Sequence, residues 1–144
     1  MILGLELGVV LLRGALGVGA VRDGLVVVLE GAQDIPFEIK RVFYIYGSDS
    51  DIVRGSHANR HSEFVLINVA GTSKVRVVDR SGNEMVISLA RPHTGVYLPA
   101  MVWKEMYDFS PDSVLLVLSS EHYDPDEYIR DYDEFQRICK NGEA

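Results

Sequence analysis

From residue 25 to residue 119 the chain alternates short apolar runs with clusters of Gly, Pro, Asn, Asp and Ser. Leu25 to Leu29 is a continuous apolar run, the pattern of a buried strand. Phe37 to Tyr46 alternates loosely and is rich in aromatic and β-branched residues, which predicts a second strand. Val53 to Val69 predicts extended chain with a bend at Gly55. Lys74 to Asp79 alternates, with Val75 and Val77 on one face and Lys74 and Arg76 on the other. Arg80-Ser81-Gly82-Asn83 turns the chain into a partner strand, Glu84 to Leu89. Val96 to Leu98, Met101 to Tyr107 and Val114 to Ser119 predict further strands, with Pro99 at a bulge or edge. The period then changes. Asp124-Pro125-Asp126-Glu127 offers a capping aspartate, a proline at the first helical position and a glutamate at the third. Tyr128, Ile129, Tyr132, Phe135, Ile138 and Cys139 recur at helical spacing behind it. Many short strands between frequent turns, closed by one C-terminal α-helix, predict an all-β sandwich or jelly roll.

Composition changes this picture at the ends. Residues 1–22 read as an N-terminal extension and residues 23–144 as a single domain. The first 21 residues are rich in Leu, Val and Gly but carry Glu6 and Arg13, which suits neither a signal peptide nor a membrane span. The expectation is a segment that packs on a partner subunit of a cytoplasmic protein, with no membrane contact. At 144 residues and 47% hydrophobic content, the chain can bury a substantial core. A net charge of −7 argues against nucleic acid as a partner. The single cysteine, Cys139, rules out an internal disulfide framework and a multi-cysteine zinc site.

Candidate chemistry concentrates between Arg54 and Glu63. Residues two apart on an extended chain share a face, so His57, Asn59, His61 and Glu63 would line one side. Such a polar row suits the mouth of a cavity that holds a polar small molecule. Metal ligation is a weak fit, because Asn59 stands where a His-x-His motif needs its second imidazole. Metal-free acid–base chemistry fits better, with His57 as the proton carrier. Arg41, Arg54 and Arg60 offer forked donors suited to phosphate. No Gly-x-Ser-x-Gly elbow and no phosphate-cradling glycine loop is present.

Five blocks, in order, resemble one family. They are Asp34-Ile35-Pro36-Phe37-Glu38-Ile39-Lys40-Arg41-Val42-Phe43-Tyr44-Ile45-Tyr46, Arg54-Gly55-x-His57-Ala58, Pro99-Ala100-Met101-Val102-Trp103-Lys104-Glu105-Met106, Val114-Leu115-Leu116-Val117-Leu118, and Tyr128-Ile129-Arg130-Asp131-Tyr132-Asp133-Glu134-Phe135. They are similar to the sugar 3,4-ketoisomerases (FdtA/QdtA, or WxcM-like) of the cupin superfamily. The resemblance implies a cupin-type jelly roll, a homodimer with exchanged strands, and a deoxysugar or polysaccharide pathway. It implies a nucleotide-sugar substrate of the dTDP-4-keto-6-deoxyhexose type, whose keto group moves between C4 and C3 through an enediol, without metal or cofactor. It places the family's base on His57 and its arginines on Arg41 and Arg54. On this reading Tyr44 is the second catalytic candidate, and Arg41, Tyr46, Arg54, Asn59, Glu63 and Trp103 contact the substrate. The chain departs from the family pattern in four places. His57-Ala58-Asn59 replaces His-Ala-His, Phe64 stands where Gln is usual, Phe43 replaces a tyrosine, and Asp23-Gly24 replaces Arg-Gly. The alternative is a non-catalytic cupin of the same pathway that binds the nucleotide sugar.

Overall fold

Alternation of side chains along paired strands decides which residues reach the interior. The computed structural model describes residues 2–4, 10–13 and 26–142. Its strands are β1 (Ile2–Gly4), β2 (Val10–Arg13), β3 (Arg41–Tyr46), β4 (Arg54–Asn59), β5 (Phe64–Ala70), β6 (Ser73–Val78), β7 (Glu84–Leu89), β8 (Thr94–Leu98), β9 (Trp103–Tyr107), β10 (Val114–Ser119) and β11 (Tyr128–Ile129). A helix, α1 (Tyr132–Asn141), follows them. One sheet runs β1-β2-β8-β5-β10-β3 and the other β11-β4-β9-β6-β7, all neighbours antiparallel.

The two sheets bury their facing sides against each other. Leu66, Val96, Leu98, Leu115 and Val117 from one meet Val75, Val77, Ile87, Leu89 and Met106 from the other. Each such side chain contributes about 1.5–3 kcal/mol when fully buried. This is the expected jelly roll, and Val75 and Val77 point inward as their spacing predicted. The second sheet's outer side is covered by α1, whose Phe135 and Ile138 pack with Met101, Trp103 and Ile129. The first sheet's outer side is partly covered by the segment before β3, where Ile35 and Phe37 pack on Val65, Ile67 and Leu118.

Three expectations are corrected. Residues 26–29 of the predicted Leu25–Leu29 strand lie outside regular strands, and Val26 and Val28 are exposed. Val53 to Val69 is two strands, because the chain turns at residues 60–63 to cross from one sheet to the other. The capping sequence at Asp124 starts only a 3-10 turn, Pro125–Glu127, and β11 intervenes before α1. The α-helix takes its cap from Asp131, whose side chain accepts from the Glu134 amide at 2.8 Å, and it ends at left-handed Gly142. Among the described residues, no helix is long and apolar enough to cross a membrane. Strands β1 and β2 fall within the predicted N-terminal extension, and β2 pairs with β8; the rest of residues 1–22 lies outside the described residues.

Candidate active site

Strand β4 carries a bulge where it pairs with β9. Gly55 and Ser56 both take positive φ, 85° and 54°, and the register shifts between Gly55 and His57. A Cβ on Gly55 would lie 2.9 Å from the Lys104 carbonyl oxygen, so only glycine fits this approach. Bulges re-aim the side chains that follow them. Here the result sets His57 directly opposite Lys104 on β9.

Both residues line a cavity of about 260 Å³ between the sheets. Phe43, Ile45, Phe64, Leu66, Met106 and Val117 form its apolar wall, and Arg54 and Tyr128 also line it. The Tyr128 ring lies 4.9 Å from the His57 ring, between centroids, and Arg130 sits over the same tyrosine at 4.7 Å. His57 Nδ1 is buried without a hydrogen-bond partner. Burial lowers the pKa of this imidazole to about 4, and the Lys104 and Arg130 charges act in the same sense, against the Gly55 backbone and Glu127. His57 is therefore neutral at physiological pH.

Lys104 is buried, at 4% exposure. Its Nζ donates to Asn59 Oδ1 at 2.7 Å and lies 4.7 Å from the centre of the Phe64 ring. Desolvation lowers its pKa to about 7, with the Glu127 charge opposing. Asn59 passes the connection on, its Nδ2 donating to Glu127 Oε1 at 3.0 Å. Glu127 also accepts from the backbone amides of His61 and Ser62, each at 2.9 Å, and from the Ser62 hydroxyl. Burial pushes the Glu127 carboxyl up, but the Ser62, His61 and Asn59 donors outweigh it and hold the group below the ordinary carboxylate value. The same contacts pin the turn that ends the predicted polar row.

That row is therefore only half realised. His57 lines the cavity, and Asn59 lies behind it holding Lys104 and Glu127. His61 is exposed beside a separate surface pocket with His122 and Tyr123. Glu63 accepts from the Tyr97 hydroxyl and stands apart from the His57 cavity. Arg41 shares a face of β3 with Phe43 and Ile45, by alternation. Its guanidinium lies near the Phe43 and Tyr123 rings, 5.3 and 5.6 Å from their centres, and its Nε is buried and unpaired. Arg54 lines the cavity and is held by Ser48 Oγ at 2.8 Å. Tyr44 and Tyr46 fall on the opposite face of β3, 62% and 69% exposed, so the structure does not bring them to His57. Trp103 also lies outside the cavity. It packs against Tyr132 and Phe135 and donates to Glu105 at 3.1 Å.

Lys104, Glu127 and Tyr128 are the residues that sequence reasoning missed. A signal existed for Lys104, because it alternates in step with Met106 and a lysine on an inward face is rare. Glu127 had none, since its position in a helix-start pattern accounted for it. Among the described residues, no three His, Cys, Asp or Glu side chains converge to hold a metal ion.

A half-open cavity inside a cupin-type jelly roll, apolar-walled with converging polar groups, is the kind of site that receives a small molecule. Comparison with known proteins narrows this. The chain belongs to the WxcM-like, C-terminal (FdtA) family, whose model matches residues 17–140. It is 41% identical over 114 residues to a TDP-4-oxo-6-deoxy-α-D-glucose-3,4-oxoisomerase of Aneurinibacillus thermoaerophilus, covering 79% of this chain and 81% of that protein. It is similar to the crystal structure of QdtA, a sugar 3,4-ketoisomerase from Thermoanaerobacterium thermosaccharolyticum in complex with TDP, at 39% identity and TM-score 0.89, over 96% of this chain and 98% of that one. A His-to-Asn variant of that enzyme in complex with TDP-4-keto-6-deoxyglucose matches at 39% identity and TM-score 0.88, over 96% and 97% of the two chains.

Proposed function

We propose that this chain is a 3,4-ketoisomerase acting on a TDP-linked 4-keto-6-deoxyhexose, with His57 as its base. The observation that carries the reading is a neutral imidazole facing a half-open cavity, its Nδ1 unpaired. Family membership and the activities named for the relatives above support it. A proton on carbon beside a ketone is acidic enough for a positioned base to remove, because the resulting charge spreads onto oxygen. An imidazole already free of protons is ready for that step. It takes the proton from C3, the enediol forms, and returning the proton at C4 leaves the ketone at C3. No electron acceptor is needed, since one carbon is reduced as its neighbour is oxidised.

The cavity's volume of about 260 Å³ is slightly below the roughly 300–1,000 Å³ typical of pockets that enclose a whole ligand. It suits the sugar, with the nucleotide outside. Arg54 at the cavity wall and Arg41 with its unpaired buried Nε supply forked donors for the diphosphate. The protein works as a homodimer in the cytoplasm, joined through the uncovered outer face of β3. Residues 23–144 form the working domain; the family match begins slightly earlier, at residue 17.

Incubation with TDP-4-keto-6-deoxyglucose in deuterated buffer tests the activity. Deuterium entering the sugar ring and a 3-keto product are expected. Neither exchange nor product removes the reading, and saturable TDP binding without turnover assigns the non-catalytic alternative.

A further inference from the structure

We propose that Lys104 is a second catalytic residue, which carries a proton between the two sugar oxygens while His57 carries one between the two carbons. The inference rests on the isomerase reading above and gives that site its second acid–base group. Its ground is geometric. Lys104 and His57 are register partners on adjacent antiparallel strands, and both line the same cavity. Among the described residues, Lys104 has no carboxylate within ion-pair distance. Its only side-chain hydrogen bond among the described residues is to Asn59 Oδ1, and the Phe64 ring occupies another side. An ammonium has three donors. A buried one with a single neutral acceptor is held ready for an acceptor that arrives with the ligand. Asn59 and Phe64, which hold it, are two of the positions at which the chain departs from the family pattern.

The chemistry needs such a group. When His57 takes the C3 proton, the C–H electron pair becomes the C3=C4 bond and the carbonyl pair moves onto O4. Lys104 gives a proton to O4, which completes the enediol. In the second half the neutral amine takes the proton from O3, the O–H pair becomes the C3 carbonyl, and the C3=C4 pair takes the proton of His57 at C4. One hydrogen has moved from C3 to C4 and one from O3 to O4, and both side chains return to their starting states. The two transfers support each other. Once Lys104 has given up its proton, the charge that opposed protonation of His57 is gone. The charged and titratable groups around Lys104 are His57 and Arg54 on β4, Glu127 on the 3-10 turn, Tyr128 on β11 and Arg130 beyond it.

The test uses Lys104→Met in the full chain, with the wild type alongside. Wild-type turnover establishes the isomerase itself, so absence of turnover there sinks the function, whereas a competent wild type isolates the lysine. Lys104→Met is expected to lower kcat on the order of 100-fold, the scale of a lost acid–base group, with TDP affinity within threefold of wild type. In the wild type, kcat should fall on the alkaline side near neutrality as the ammonium deprotonates, and that limb should vanish in the variant. A variant within threefold of wild-type kcat overturns the assignment. So does a tenfold loss of TDP affinity, which gives the lysine to the diphosphate instead. If the variant does not fold, the wild-type profile decides: no alkaline limb between about pH 6 and about pH 8, roughly one unit either side of a neutral-range lysine, sinks the proposal.

Discussion

His57 and Glu127 are both held deprotonated, for different reasons, so that one is neutral and the other charged. Solvent exclusion disfavours charge on both, but His57 faces cations while Glu127 collects donors. The base should therefore stay active far below the ordinary histidine range. We expect kcat/KM to fall only as the pH drops through about 4, the free-enzyme value for His57, and not near 6.5. An acid limb near 6.5 would assign the base elsewhere. His57→Ala should abolish turnover while TDP affinity, measured by calorimetry, changes little. Glu127 belongs to stability. Its depressed carboxyl stabilises the fold fully above the unfolded value of 4.5, and that contribution disappears as the pH falls through the folded value. Glu127→Gln should cost about 2 kcal/mol near neutrality, the scale of hydrogen bonds to a charged group, read from the urea midpoint. The deficit should shrink in acid; an equal deficit at every pH contradicts this account. His57 was legible in the sequence because it stands beside a glycine bend in a polar row. Glu127 was not, because nothing local marks a carboxylate whose partners are more than sixty residues away.

At the scale of elements, period-2 patterns were easy to read wherever one face is buried. Glu84–Leu89 forms as expected, and so does Val114–Ser119, a continuous apolar run read as a buried strand, because their neighbours are other strands of the same chain. Two elements misled. The capping signature at Asp124 is chemically sound, and its side chain does accept from the Asp126 amide at 3.0 Å. Pairing of Tyr128 and Ile129 with β4 overrides the helix until Asp131 supplies a second cap. The β4 bulge was visible only as a bend, since the residue it re-aims depends on the partner strand. Its glycine gives a sharp test. Gly55→Ala must hold φ near 85° and place a methyl against the Lys104 carbonyl. We expect a loss of about 1–3 kcal/mol in stability and a larger proportional loss in kcat than in TDP affinity. A variant with wild-type stability and kcat would show that the strand tolerates a regular register here.

For the whole molecule, the decisive feature is what the fold leaves uncovered. Arg41, Phe43 and Ile45 turn toward the cavity side of β3, so Val42, Tyr44 and Tyr46 face outward, at 56%, 62% and 69% exposure. Val26 and Val28 are exposed as well, on a segment whose sequence reads as a buried strand. An apolar run with no strand partner among the described residues, and an edge strand with an exposed apolar face, are the features expected of a surface that meets another chain. Hydrophobic pattern reports a segment's tendency to be buried and does not say against what, which is why residues 26–29 read as an internal strand. A dimer joined there predicts that the 16.0 kDa chain sediments at twice that mass and that its unfolding midpoint rises with protein concentration, because association adds to stability by mass action. Val42→Glu puts a charge in the centre of that face and leaves the cavity residues untouched. It should sediment as a monomer, and its unfolding midpoint should no longer depend on concentration. A variant that still sediments as the wild-type dimer moves the interface elsewhere, and a monomeric wild type removes it.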